Sequence, residues 1–401
     1  MNLRDFARSG HAPTLFCAFL YFDVSFMVWV LLGGLATSIN AELGLTEIER
    51  GVLVAVPLLG GACLRVVLGV MTDHFGARRT ALAGLTATLL PLALGWLWAS
   101  SFLDLLVVGL LLGVAGASFA AALPLASRWY PPRHQGLALG IAGAGNSGTV
   151  ITLFFAPRLA EGWGWHTVFG LALVPIALTL ALLAVLARES PQRPPAKALA
   201  DYARVLTQRD TWWFCLFYSV TFGGFVGLAS FLGGFFHDQY GLSGEEAGTF
   251  AAVCGLAGSL LRPVGGYLAD RQGGMPVLLG LYGGVGACML GLATSPPMAA
   301  ATVLLVLIMG LLGMGNGAVF QVIPQRFARE IGVMTGVVGA AGGAGGFFLP
   351  ISLRSANYLT GSFGIGFLLF GLLSLSCAGF VLWLARSWSA PTAAAPEQAV
   401  S

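Results

Sequence analysis

Twelve stretches of this chain are long and apolar enough to cross ~30 Å of hydrocarbon, and few architectures tolerate that pattern. They fall at about 14–40, 47–71, 79–99, 102–126, 135–158 and 165–187, then at about 211–236, 245–268, 275–295, 299–322, 332–355 and 362–385, each range good to a few residues. Lipid offers no water to satisfy backbone amides, so each run is predicted to be a helix bonded within itself. The first run is too long for a removable signal peptide and lacks a small-residue cleavage site. Composition agrees: 57% of the 401 residues are hydrophobic and only 9% are charged, against the roughly 25% that covers a soluble globule. The expected fold class is an all-α membrane protein.

Lys and Arg positions orient it. With both termini cytoplasmic, the inner loops hold Arg4, Arg8, Arg78, Arg79, Arg128, Arg133, Arg188, Arg193, Lys197, Arg204, Arg209, Arg271, Arg326, Arg329 and Arg386, while the outer loops hold only Arg50, Arg158 and Arg354. Cationic residues concentrate on the cytoplasmic side of inner-membrane proteins, and the bias also favours an even helix count. The net charge of +3 is small, and no nucleic-acid partner is expected. Six scattered cysteines and five dispersed histidines show no metal-site spacing, and no Walker A sequence occurs. The chain therefore reads as neither a metalloprotein nor an ATPase. No constellation of nucleophile and base suggests an enzyme, and no cofactor is expected.

The least apolar internal stretch, 188–210, contains Glu189-Ser-Pro-Gln-Arg193-Pro-Pro and reads as a cytoplasmic linker. It divides a bundle over 1–187 from a second over 211–386, and the Ala/Pro-rich segment 387–401 is predicted to be a disordered tail. The halves share a register. Arg65, Gly69, Asp73 and Gly76 match Arg262, Gly266, Asp270 and Gly273, each 197 residues on (262 − 65, 266 − 69, 270 − 73, 273 − 76). Duplicated bundles are a common way for secondary transporters to build a site at the bilayer midplane. The segment Gly69-Val-Met-Thr-Asp73-His-Phe-Gly76-Ala-Arg78-Arg79 resembles the loop signature of the major facilitator superfamily. Gly266-Tyr-Leu-Ala-Asp270-Arg271-Gln-Gly273 is its second copy without the terminal basic pair. Asp73 and Asp270, with Arg78 and Arg271, are predicted to latch cytoplasmic helix ends and so to gate rather than bind.

Arg65, Arg262 and Asp23 are the charged side chains that fall well inside the predicted spans, where each costs at least ~2.5–3.5 kcal/mol. Each arginine lies roughly 12 Å before its loop aspartate at 1.5 Å per residue, which is deep for snorkelling. Equivalent positions in two halves would bring the pair face to face across a central cavity. A guanidinium is a planar fork of donors that suits a planar oxyanion. The residues alone leave carboxylates, phosphate and nitrate open.

Glycine-rich segments add to this: Gly143-Ala-Gly145-Asn146-Ser-Gly148 in the fifth span, and Gly339-Ala-Ala-Gly342-Gly343-Ala-Gly345-Gly346-Phe-Phe-Leu-Pro350 in the eleventh. Packing explains most of these glycines, but Asn146, an amide in an apolar helix, needs a partner. With the two arginines, these segments resemble the signature motifs of the nitrate/nitrite porter family within the major facilitator superfamily, over nearly the whole chain. The resemblance implies that Arg65 and Arg262 clamp nitrate or nitrite, with Asn146 and the backbone at Gly143 and Gly342 nearby. It also implies aromatic rings above and below the ion, for which Phe26, Phe119 and one of Tyr218, Phe222 or Phe225 are candidates; Phe222 is the favoured one.

The cycle expected from this pair is electrostatic. Two guanidiniums at ~7 Å and an effective dielectric of ~20 repel by roughly 2–3 kcal/mol, which a bridging monoanion offsets. An empty carrier then crosses slowly, and exchange of nitrate for nitrite is favoured over proton-coupled uptake. Asp23 leaves three readings open: counter-ion, proton carrier, or structural hydrogen bond. A proton-coupled carrier for a small organic anion such as a monocarboxylate is the alternative substrate class. The protein is expected to be a multi-pass monomer of the inner membrane.

Overall fold

The computed structural model describes residues 6, 9–191, 199–327 and 331–389. Arg4, Arg8, Arg193, Lys197, Arg329 and most of the predicted 387–401 tail lie outside them. The described chain is helical, and no strand occurs among the described residues. Eleven helices are long and apolar enough to span a membrane, the longest being Ala138–Leu186 with 49 residues. That one is two, because Gly164 sits at φ 77°, ψ 152° inside it. This left-handed conformation costs glycine little and turns the chain between spans. The twelve predicted spans are therefore present: α1 (Ala12–Leu43), α2 (Glu47–Phe75), α3 (Ala77–Leu97), α4 (Phe102–Ser127), α5 (132–163), α6 (165–186), α7 (Arg209–Tyr240), α8 (Gly244–Gln272), α9 (Gly274–Ala293), α10 (Met298–Arg326), α11 (Ile331–Thr360) and α12 (Gly364–Ser389). A short helix, Leu199–Leu206, lies in the linker.

Local chemistry sets the helix ends. Thr46 and Glu49 form a capping box at the start of α2, and Ser243 and Glu246 form its counterpart on α8, again 197 residues apart (243 − 46, 246 − 49). Each box satisfies amides that the first turn cannot. Gly76 and Gly273 end those helices at φ 96° and 87°, conformations that a side chain would strain, so the next helix can start at once. Glu189 then caps α3, its carboxylate accepting from the backbone N–H of Ala77 and of Arg78, both at 3.0 Å; a negative charge there also suits the helix dipole.

Close crossings hold the buried helices. A side chain on Gly113 of α4 would collide with the backbone of Gly60 of α2, and one on Gly313 of α10 with that of Gly258 of α8. These matching contacts put backbone against backbone one to two turns before Arg65 and Arg262. In lipid, dispersion and close packing replace the hydrophobic effect as the force between helices, and small residues give them reach. Between the halves, α2 packs against α11, α5 against α8, and the second part of α1 against α7. Three spans are irregular inside. α1 bends at Val30, α4 breaks at Ala117–Ser118, and α5 tightens to a 3₁₀ turn over Ala144–Ser147. The last coincides with the Gly-Ala-Gly-Asn segment.

Candidate functional site

Arg65 is 1% exposed and Arg262 9%. Neither forms an ion pair with a described carboxylate. Arg65 is held from both halves: Nε donates to the carbonyl of Gly116 on α4 at 3.1 Å, and Nη1 to that of Gly339 on α11 at 2.5 Å. Its Nη2 has no partner, and neither has Nη1 of Arg262. Each guanidinium thus keeps a donor in reserve.

Aromatic rings enclose Arg65. Its Cζ lies 4.6 Å from the centre of the Phe222 ring, 5.4 Å from Trp29 and 5.7 Å from Phe119. Such contacts attract a cation by ~0.5–2 kcal/mol each, more when dry. Phe119 is shared, since Arg262 Cζ is also 5.7 Å from its centre. The two charges are therefore at most twice 5.7 Å apart, and at an effective dielectric of ~20 they repel by at least about 1.5 kcal/mol. Phe222 stacks on Tyr218 at 5.0 Å and 6° between planes. Tyr218 is fully buried, lies within electrostatic reach of both arginines, and its hydroxyl makes no hydrogen bond of ordinary geometry.

Gly342 makes that stack possible, because a Cβ there would stand 2.6 Å from Tyr218 Cδ1 and 3.0 Å from Phe222 Cδ1. Gly343, on the next residue, lies against Ala62 of α2, so the glycine run wedges α11 between α2 and α7. Gly143 sits across from Arg262, with Nε 3.9 Å from where a Cβ would be and nothing else within 4 Å. Asn146, in the 3₁₀ turn, is 1% exposed with both amide atoms unpartnered.

Two cavities lead to the pair. One of about 260 Å³ runs along Asp73, Arg128, Phe119 and Thr335 to Arg65. The other, of about 430 Å³, runs along Asp270, Gly143, Asn316 and Phe320 to Arg262. Both open at the end carrying the loop aspartates.

Some predicted residues sit elsewhere. Phe26 stands behind the box, its ring 4.9 Å from Trp29 and 6.2 Å from Phe222. Trp29, one turn on, is the α1 aromatic facing Arg65. Sequence reasoning missed it, though its spacing from Phe26 puts it on the same face. Phe225 packs on Gly258 of α8 instead. Asp73 pairs with Arg128 at 3.0 Å rather than with Arg78, whose side chain donates to the carbonyl of Ala184 at 2.7 Å. Asp270 is exposed, and Arg271 lies over the Tyr267 ring at 4.7 Å. Asp23 accepts from Ser147 Oγ at 2.6 Å, which ties α1 to the 3₁₀ turn; it makes no ion pair with either arginine.

The opposite end is shut. Glu47 of α2 and Asp238 of α7 alternate with Arg50 of α2 and Arg354 of α11 in a ring with N–O distances of 2.5–2.8 Å. Arg158 of α5 meets Glu245 of α8 at 2.9 Å. Arg354 and Arg158 lie 196 positions apart (354 − 158), and Glu245 and Glu47 198 (245 − 47), both near the repeat of 197. The three arginines that the sequence put on the sparse side are thus all spent in ion pairs, two of which join α2 to α11 and α5 to α8.

Comparison with known proteins gives a consistent result. Residues 14–350 match the family described as Major Facilitator Superfamily. The chain is 34% identical over 361 residues to the "Nitrite extrusion protein" of Bacillus subtilis, covering 90% of this chain and 91% of that one. It is 35% identical over 387 residues to the "Probable nitrate/nitrite transporter NarK2" of Mycobacterium tuberculosis, covering 94% and 97%. Among solved structures, a D-xylose-proton symporter superposes with a TM-score of 0.74 at 16% identity, covering 92% of this chain and 96% of that one, a likeness of fold alone.

Proposed function

The chain belongs to the nitrate/nitrite porter family of the major facilitator superfamily, and from that premise we propose that it carries nitrate and nitrite across the inner membrane by alternating access. One observation carries the reading: two buried arginines, free of carboxylates, each hold an unpartnered N–H beside a shared aromatic ring. Like charges so placed need an anion. A flat monoanion accepts in-plane hydrogen bonds from both forks while its faces meet the rings of Phe119 and Phe222. Tyr218, Asn146 and the backbone at Gly143 and Gly342 complete the surroundings.

Exchange follows from the same charge balance. Closing the halves over an empty site forces the guanidiniums together without compensation, while a bound anion bridges them. Asp23 is bonded to Ser147 and unpaired with either arginine, so it acts as a structural tie between α1 and α5. With both termini cytoplasmic, as the Lys/Arg distribution indicates, the cavities face inward and the Glu47–Arg354 ring closes the outside. The chain works as a monomer of two six-helix bundles, 1–187 and 211–386, joined by the 188–210 linker.

The test is flux into proteoliposomes. Nitrate uptake should be at least tenfold faster with nitrite inside than without, and an imposed pH gradient alone should drive little. Uptake driven by pH into empty vesicles would overturn exchange. Transport of lactate-sized carboxylates with no response to nitrate would overturn the substrate class.

A further inference from the structure

Asn316 of α10 lies outside the motifs used above, yet it has the two marks of a ligand-binding group. It is fully buried, and neither amide atom has a hydrogen-bond partner. It also lines the cavity that ends at Arg262 and Gly143. Buried amides are rarely left unmet, because each has lost water without replacement. Asn146 is in the same condition on α5.

The two share a sequence context. Asn146 closes Gly143-Ala-Gly145-Asn146, and Asn316 closes Gly313-Met314-Gly315-Asn316. The glycine before each asparagine fits against the first helix of its own half. A side chain on Gly145 would stand 2.8 Å from Asp23 N, and one on Gly315 2.5 Å from Thr221 Cγ2. Asp23 and Thr221 are 198 positions apart (221 − 23), so the tetrapeptides sit against matching points of α1 and α7 although they lie on α5 and α10. The residue after Asn316, Gly317, packs directly on the backbone of Arg262, whose Nη1 is unpartnered.

We propose that Asn316 donates a hydrogen bond through Nδ2 to the anion held at Arg262, and that this contact favours nitrate over nitrite. The inference rests on the transport reading above. Nearby charge selects the donor end of the amide, since Arg262 lines the same cavity and any guest it attracts is negative. Nitrate has three oxygens and nitrite two. Once the two arginines engage an oxygen each, nitrate still offers Asn316 an oxygen that neither arginine holds, whereas both nitrite oxygens are already engaged. A site with a donor left unmet discriminates strongly against the ligand that fails to meet it.

The experiment measures nitrate and nitrite affinity of the purified full chain by calorimetry, for wild type, Asn316→Leu and Asn316→Ser, with Arg262→Lys alongside. Leu keeps the volume and removes the donor; Ser keeps a short donor and tests the idea should Leu fold poorly. In Asn316→Leu, nitrate affinity is expected to fall at least tenfold and nitrite affinity less than threefold, with Ser between. Equal losses for both ions, or no loss in either variant, would overturn the proposal and assign Asn316 to packing. Arg262→Lys is expected to weaken both ions, which separates the clamp from the selector. Wild type that binds neither ion would sink the transport reading instead.

Discussion

Glu47 and Arg354, 307 positions apart, meet at 2.8 Å on the face away from the cavities. That contact and its neighbours through Asp238 hold α2, α7 and α11 together at one end, while the aspartate ends of α2 and α8 stand open to the cavities. In the alternating-access cycle proposed above, this is one of the two end states, and the ring is what the other must break.

Asp238→Asn should loosen it. Arg354 is 4% exposed and would keep only Glu47, while Asp238 itself is 21% exposed, so solvent screens part of the loss. Removing one partner of a buried pair costs up to 3–5 kcal/mol; with Glu47 retained and solvent screening, about 2 kcal/mol remains, roughly a thirtyfold shift toward opening of that face. Spin labels at Ser101 and Thr294 in a cysteine-free background report it. An unchanged distance distribution refutes the latch.

Arg65→Lys keeps the charge and loses the fork. Lys cannot serve Gly116, Gly339 and an anion from one planar group, so affinity for nitrate should drop by ten- to a hundredfold, about 1.4–2.8 kcal/mol. Isothermal calorimetry decides it, and full affinity in the variant would reduce the clamp to simple charge attraction.

Gly342→Ala pushes a methyl to 2.6 Å from Tyr218 Cδ1. Overpacking of this kind costs about 1–3 kcal/mol and tilts the Tyr218–Phe222 stack. Nitrate affinity should fall about tenfold or more, since tenfold is about 1.4 kcal/mol and lies within that range. Gly283→Ala, with nothing within 4 Å, serves as the control and should bind as wild type does.

Asp23→Asn retains an oxygen to accept from Ser147 Oγ. Nitrate/nitrite exchange should stay within about threefold of wild type, the scale of weakening one charge-assisted bond by ~0.6 kcal/mol. Both proteins should show flat exchange between pH 6 and 8. A pH-driven uptake that disappears in the variant would make Asp23 a proton carrier.

The spans, their duplication and the buried arginines could be read along the chain. Each is a one-dimensional matter: hydrocarbon thickness sets the length of an apolar run, the 197-residue register repeats along the chain, and a charge in lipid stands out wherever it falls. Arg65 and Arg262 were legible for that reason, and the glycine runs because close helix crossings admit only small residues. Which groups meet depends on how the helices pack in three dimensions. Asp73 could pair with Arg78 five residues on, yet it pairs with Arg128 because α4 ends beside it. Trp29 rather than Phe26 faces Arg65, its indole N–H bonded to the carbonyl of Pro57 on α2, the helix that carries Arg65. Asn316 came to light only as an amide without a partner, and the absence of a partner is a property of three-dimensional surroundings that no spacing along the chain records.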